Sequence, residues 1–303
     1  MAERTIVGVD FSGAGADSDK GKTWVTKGYL ETEDDQELKK GTLLFGSCRQ
    51  VSREELTDIL KALPNDAVAA LDFPFSVPIA FAKHLSSPGS EMPRLWRSVA
   101  PMEFSDFKEK GKEFADLLRV GDLHCSNAKP SLKMEGNPVM VNMTFHGMKM
   151  LNTLWEQTSC QVPPLKVPVR DGAVLLEVMP GAALRAFELP DKSYKGGDTA
   201  FENRRKILRG LRGVADVKII NLPDFHEECM FSDDALDSMV AAIAAAKWAT
   251  DESESTFIRP SKCHTVADAF SKYKGKRKIS PGIDQLTQDE AARKEGWIYV
   301  PKR

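Results

Sequence analysis

TIVGVDF (residues 5–11) and AVAALDF (residues 67–73) are the two runs on which the reading of this chain turns. Each is an apolar run of strand length, and each closes on an aspartate followed by phenylalanine: Asp10-Phe11 and Asp72-Phe73. The first is rich in β-branched residues and reads as a central strand buried on both faces. An unpaired carboxylate at the end of such a strand is costly, so both aspartates call for a reason. Between the runs, a polar turn (residues 12–22) leads to TWVTKGYL (23–30), which alternates as a second strand. A polar stretch from Glu31 to Lys40 precedes a third strand over 42–48. Short connections of this kind favour an antiparallel meander. Ser52-Arg53-Glu54-Glu55 is a capping box that opens a helix to Leu63, with Leu56, Ile59, Leu60 and Leu63 on one stripe and Pro64-Asn65 as the stop. The 67–73 run, reached across that helix, is expected to lie parallel to the first. The order is βββαβ.

Residues 78–165 read as a mainly helical insertion, with helices over 106–118 and 144–155. Strand-like sequence resumes at 173–178 (AVLLEV). Helices follow over 180–187 and 198–212, then a strand over 215–221 and a long alanine-rich helix over 232–249. The remainder (250–303) is a basic C-terminal extension ending in GWIYV (296–300), a terminal edge strand. The fold class is α/β, a single domain over 1–303 on a mixed sheet. A net charge of −2 argues against a constitutive nucleic-acid coat protein but leaves room for a local basic groove. The five cysteines form no CxxC pair, and their odd number fits reduced thiols. No run approaches the roughly 20 apolar residues of a membrane span, and residues 1–5 show no secretory leader. A cytoplasmic location, with no membrane partner, is the expectation.

The acids carry the chemistry. Asp10, Asp72 and Glu177 sit at the ends of strand-like runs, and Asp233-Asp234-Ala235-Leu236-Asp237 opens the alanine-rich helix. Singly, each has an ordinary reading. Asp10 and Asp72 can initiate turns, Glu177 can be a structural ion-pair partner, and Asp233 next to an N-cap at Ser232 is favoured by the helix dipole. Together they point elsewhere, because parallel neighbouring strands place their C-terminal ends along one edge, where α/β proteins build sites. Asp237 borders the apolar stripe of Leu236, Met239, Val240 and Ile243, at the helix–sheet boundary. Carboxylates within about 4–6 Å repel one another, and a hard cation such as Mg²⁺ or Mn²⁺ relieves this through oxygen ligands. Two such ions about 3.5–4 Å apart can activate a water and stabilise a leaving oxygen. An enzyme acting on phosphate esters is the leading reading.

Two basic clusters are candidate phosphate contacts: Arg204, Arg205, Lys206, Arg209 and Arg212, and Lys272, Lys274, Lys276, Arg277 and Lys278. The competing reading for both is a solvated face. The five histidines show no metal-type spacing.

GVDFSGA (8–14), ALDFPFSVP (70–78), LLEVMPGAALR (175–185), DDALDSMVAAIAAA (233–246) and EGWIYVP (295–301), in this order, resemble the RNase H-like fold. Within it, the set resembles an uncharacterised family of predicted nucleases. The 233–246 helix is also similar to the D-x-x-D helix of Holliday-junction resolvases of the RuvC type. The resemblance implies an RNase H-like mixed sheet, with Asp10, Asp72 and Asp237 as metal ligands and Glu177 and Asp234 completing or flanking the catalytic site. It further implies a pair of Mg²⁺ or Mn²⁺ ions and a nucleic acid, DNA or RNA, as substrate, with Arg204, Arg205, Arg209, Lys274, Lys276 and Arg277 on its phosphates. Glu177 departs from the pattern, since this strand in many RNase H-like enzymes carries no catalytic acid. Two other readings stay open. One is an actin-like or sugar-kinase-like nucleotide-binding protein, whose GVDFSGAG turn would approach phosphates through backbone N–H groups. The other is a non-catalytic RNase H-like binding module.

Overall fold

The computed structural model sets the 5–11 and 67–73 runs side by side and parallel in a six-stranded sheet. It describes residues 2–13, 21–32, 41–85, 91–125, 128–136, 139–166, 168–214, 217–250, 256–270 and 278–302. In chain order the strands are β1 (Ala2–Asp10), β2 (Thr23–Thr32), β3 (Gly41–Val51), β4 (Val68–Asp72), β5 (Leu117–Leu118), β6 (Val174–Glu177), β7 (Val217–Ile219), β8 (Phe257–Ile258), β9 (Lys278–Ile279) and β10 (Val300–Pro301). The helices are α1 (Arg53–Lys61), α2 (Ile79–Leu85), α3 (Met92–Val99), α4 (Phe104–Gly111), α5 (Met140–Gln157), α6 (Pro180–Ala186), α7 (Ala200–Leu211), α8 (His226–Phe231), α9 (Asp233–Thr250), α10 (Val266–Phe270) and α11 (Gln288–Glu295).

The main sheet runs β6-β4-β1-β2-β3-β7. β1, β2 and β3 form the antiparallel meander, β4 and β6 add in parallel beside β1, and β7 extends the sheet in parallel beyond β3. This is a mixed α/β architecture of the RNase H-like kind. The sheet is covered on both faces. Ile6, Val68, Ala70 and Leu176 pack towards α6, α7 and α9. Their alternates Val7, Val9, Ala69, Leu71 and Leu175 pack towards α1, α3 and α5.

Helix α9 is buried from Ala235 to Thr250, on every side and not along one stripe. Small residues make this possible, because Ala241, Ala242 and Ala244–Ala246 let the helix lie directly on the strands. The closest approach is at Gly8 of β1, where a Cβ would collide with the Ser238 carbonyl and the Ala242 amide. Thr26 and Ser238 share a hydrogen bond of 2.8 Å across the same interface.

The insertion is mainly helical, but its boundaries differ from the expected ones. The helix expected over 106–118 stops at Gly111 and passes through a 3₁₀ turn (Lys112–Phe114) into β5. β5 pairs in parallel with β9, which ties the insertion to the C-terminal region. The helix expected over 144–155 spans Met140–Gln157.

The terminal edge strand is corrected. Only Val300–Pro301 is a strand, and it pairs with β8 in a separate two-stranded sheet. Trp297, Ile298 and Tyr299 are buried, and the Tyr299 amide donates to the Glu177 carbonyl at 2.8 Å. Glu295 is fully buried, accepting from the Ile79 and Val120 amides at 2.5 and 2.6 Å. Burial pushes the Glu295 carboxyl up to about 8, and the two amides satisfy it, so residues 295–300 can lie in the interior with their apolar side chains. No helix among the described residues is long and apolar enough to cross a membrane.

Because Gly8 meets backbone that no rotamer change can clear, Gly8→Ala is expected to cost about 3 kcal/mol of stability, the upper range for overpacking. Urea unfolding of the two proteins measures this.

Candidate metal centre

Asp10 and Asp72 are partners in the β1–β4 register. Side chains alternate along a strand, so Asp10 falls on the face of Ile6 and Gly8, and Asp72 on that of Val68 and Ala70. Both therefore project towards α9, whose first turns carry Asp237. One carboxylate oxygen from each of Asp10, Asp72 and Asp237 lies within 4.8 Å of the others. Asp234 flanks this trio at the exposed start of α9, close enough to Asp10 for the two carboxyls to share a hydrogen bond.

Asp237 is 1% exposed and both of its oxygens are engaged. The Tyr194 hydroxyl donates to Oδ1 at 2.9 Å, and Lys195 Nζ lies 2.5 Å from Oδ2. Tyr194 and Lys195 come from the loop between α6 and α7, and the sequence reading missed both as site residues. Lys195 was legible there only as a charge beside a basic cluster, and a lone tyrosine carries no signal. Asp10 Oδ2 is buried and finds no hydrogen-bond partner among the described residues.

Burial pushes all three carboxyls upward. Asp10 stands well above the usual carboxylate range, through burial first and then the charges of Asp237 and Asp72. Asp72 is pushed up to about 8, chiefly by burial, with Lys195 pulling it down and Asp237, Glu177 and Asp234 raising it. Asp237 is raised by burial against the opposing pull of Lys195 and Tyr194. Such a group keeps protons until a counter-charge arrives.

Glu177 flanks the trio, lining the same cavity as Asp72, and is corrected only as a member of the acidic group. It pairs in register with Leu71, not Asp72, and shares its face with Leu175 on the insertion side of the sheet. There Arg119 grips it, Nη2 to Oε1 at 2.6 Å and Nη1 to Oε2 at 3.0 Å, and the Phe75 amide donates to Oε2 at 3.1 Å. Arg119, 1% exposed, also holds Asp122 through Nη2 at 2.7 Å. Glu177 is the ion-pair partner of a buried arginine, and its oxygens are spoken for.

Arg204 is corrected too. It is 6% exposed and points inward, donating to the carbonyls of Tyr194 at 2.7 Å and Met230 at 2.7 Å and to Asp233 Oδ1 at 3.1 Å. One face of every turn of α7 packs on the core, and position 204 lies on that face with Ala200, Ile207, Leu208 and Leu211. Arg205 and Arg209 are exposed. Lys274, Lys276 and Arg277 lie outside the described residues.

A cavity of about 430 Å³ opens beside the trio. Asp72, Asp237 and Lys195 line one part of it, with Lys129, Lys192 and the apolar Met140, Met143 and Met179 around them. Lys129 feels both burial and the charges of Lys133 and Lys195, which lower its pKa. The rest of the cleft wall is mixed, with these lysines and apolar groups beside the ion-paired Arg119–Glu177–Asp122 and Arg185–Asp191 clusters.

Residues 147–262 match a family described as a protein of unknown function (DUF429). The matched segment contains Glu177, the Tyr194–Lys195 loop and Asp237, but neither Asp10 nor Asp72. No curated protein and no solved structure matches the chain.

Two outcomes follow from the electrostatics. The folded Asp72 holds a proton up to about pH 8, whereas an unfolded aspartate ionises near pH 4. The folded state then binds more protons than the unfolded one between these values, so stability falls as pH rises from about 4 to about 8. Melting curves across that window should show the fall, and Asp72→Asn should reduce it, Asp10 and Asp237 supplying the remainder. Separately, Arg119→Met leaves Glu177 and Asp122 buried without their cation and should cost about 3–5 kcal/mol, read by denaturant unfolding.

Proposed function

We propose that this protein is a metal-dependent nuclease of the RNase H-like kind, hydrolysing phosphodiester bonds in DNA or RNA. The observation that carries the reading is the convergence of Asp10, Asp72 and Asp237 from two strands and a helix, with a buried Asp10 oxygen that has no hydrogen-bond partner among the described residues. The donor set is all oxygen and anionic, which suits Mg²⁺ or Mn²⁺ rather than a softer metal. Bound there, such a cation supplies an activated water and neutralises charge developing on the phosphate.

The chain's own residues account for the rest. Asp10 and Asp72 present oxygens from neighbouring strand ends that the sheet holds rigid. Tyr194 fixes the orientation of Asp237. Lys192 and Lys195 in the cleft attract a phosphate that the acids alone would repel, and Arg205 and Arg209 on the surface of α7 hold the strand beyond it. Cys48, Cys125, Cys160, Cys229 and Cys263 are free thiols, which suits a reducing cytoplasm. The actin-like alternative rests on the GVDFSGAG turn, and residues 14–20 of that region lie outside the described ones.

The test is cleavage of single-stranded, duplex and branched DNA and of RNA, with and without Mg²⁺ or Mn²⁺. Cleavage should require the cation, and Asp10→Asn and Asp72→Asn should each lower it by at least about 100-fold while the protein stays folded. Undiminished turnover by both folded variants would overturn the reading. Arg205→Ala with Arg209→Ala should weaken substrate binding and make it less salt-dependent.

A further inference from the structure

We propose that Lys195 is the resident second cation of the carboxylate centre, so that the site takes one divalent ion and not two. The inference rests on the metal-binding reading above and changes what that site contains.

Its basis is how Lys195 reaches Asp237. The side chain is 52% exposed, while the carboxylate it meets is 1% exposed. An exposed lysine ordinarily gains little from an ion pair and loses side-chain freedom in making one. Here the ammonium leaves solvent to enter a pocket of acids, and the protein is built to deliver it. Arg204 Nε donates to the Tyr194 carbonyl at 2.7 Å and Nη2 reaches the Lys195 carbonyl at 3.4 Å. Asn203 Nδ2 donates to the Ser193 carbonyl at 3.1 Å. Ser193 itself is held at φ +55, a left-handed conformation that non-glycine residues rarely adopt. Arg204 is anchored in turn to Asp233, one turn before Asp237 on the same helix. Three successive backbone positions are thus pinned so that one ammonium arrives at one carboxylate.

The consequences for cation binding are local. Asp237 Oδ1 accepts from Tyr194 and its Oδ2, which has no hydrogen-bond donor, is ion-paired with Lys195, whereas Asp10 Oδ2 has neither a hydrogen bond nor an ion pair among the described residues. The unfilled cation position is therefore on the Asp10–Asp72 side, and the other is taken. An ammonium has three donors. Lys195 also lines the cleft, so while it is paired with Asp237 it stays within reach of a phosphate oxygen that enters there.

The test counts Mn²⁺ ions bound by the intact protein, by calorimetry and by electron paramagnetic resonance of the free ion, without substrate. One ion per chain is expected for the wild type. Lys195→Met, which keeps the stem and removes the charge, should raise the count to two, and Lys195→Arg should leave it at one. Two ions on the wild type, or on Lys195→Arg, would overturn this inference and leave the metal reading standing. A folded Lys195→Met that still binds one ion with unchanged affinity also overturns it. No ion bound by the wild type overturns both.

Discussion

The contact between Gly8 and the backbone of α9 sets the geometry of everything else. A side chain at position 8 would hold the helix off the sheet, and Asp237 would rise away from Asp10 and Asp72 with it. Because Gly8 lies two residues before Asp10 on the same face, the place of closest packing and the place where the acids meet are adjacent. The alanines of α9 serve the same end, giving a helix narrow enough to be buried on all sides. Packing of this density brings three carboxyls together at a cost that their raised pKa values record.

Two buried acidic groups sit on opposite sides of the β4–β6 strand ends, and the protein treats them differently. Glu177 and Asp122 are matched by the bidentate guanidinium of Arg119, with the Phe75 amide completing the set. Nothing there is left to bind. Among the described residues, the Asp10–Asp72–Asp237 group meets a single cation, Lys195 from the rim, and Asp10 Oδ2 has no hydrogen bond or ion pair. Like charges gathered without a full counter-charge are what distinguishes a binding centre from a structural ion pair.

The insertion and the C-terminal region enclose this edge of the sheet. Arg119 comes from the insertion, and Glu295 pins the C-terminal region to the starts of α2 and of the turn after Arg119. Gly296, at φ +81, passes so close to Glu177 that a Cβ there would lie 2.7 Å from Oε2. Segments distant in the chain thus share one buried polar network, and Ile298 beyond it lines the cleft.

Strand order, the parallel placement of β4 and the presence of acids at strand ends could all be read from local pattern, because apolar runs, turn residues and connection lengths are properties of short stretches. The same holds for Asp10 and Asp72, whose runs end alike. What local pattern does not carry is parity across a register. Glu177 looks equivalent to Asp72 in the chain, yet pairing with Leu71 turns it to the opposite face, and a one-residue offset decides between joining the acidic trio and pairing with Arg119. Arg204 likewise reads as one charge among several until the packing of α7 turns it inward. Tyr194 and Lys195 lie more than 40 residues from Asp237 and have no spacing rule to announce them. Only the folded chain, by setting loop, helix and sheet edge within hydrogen-bonding distance, makes them part of the same centre.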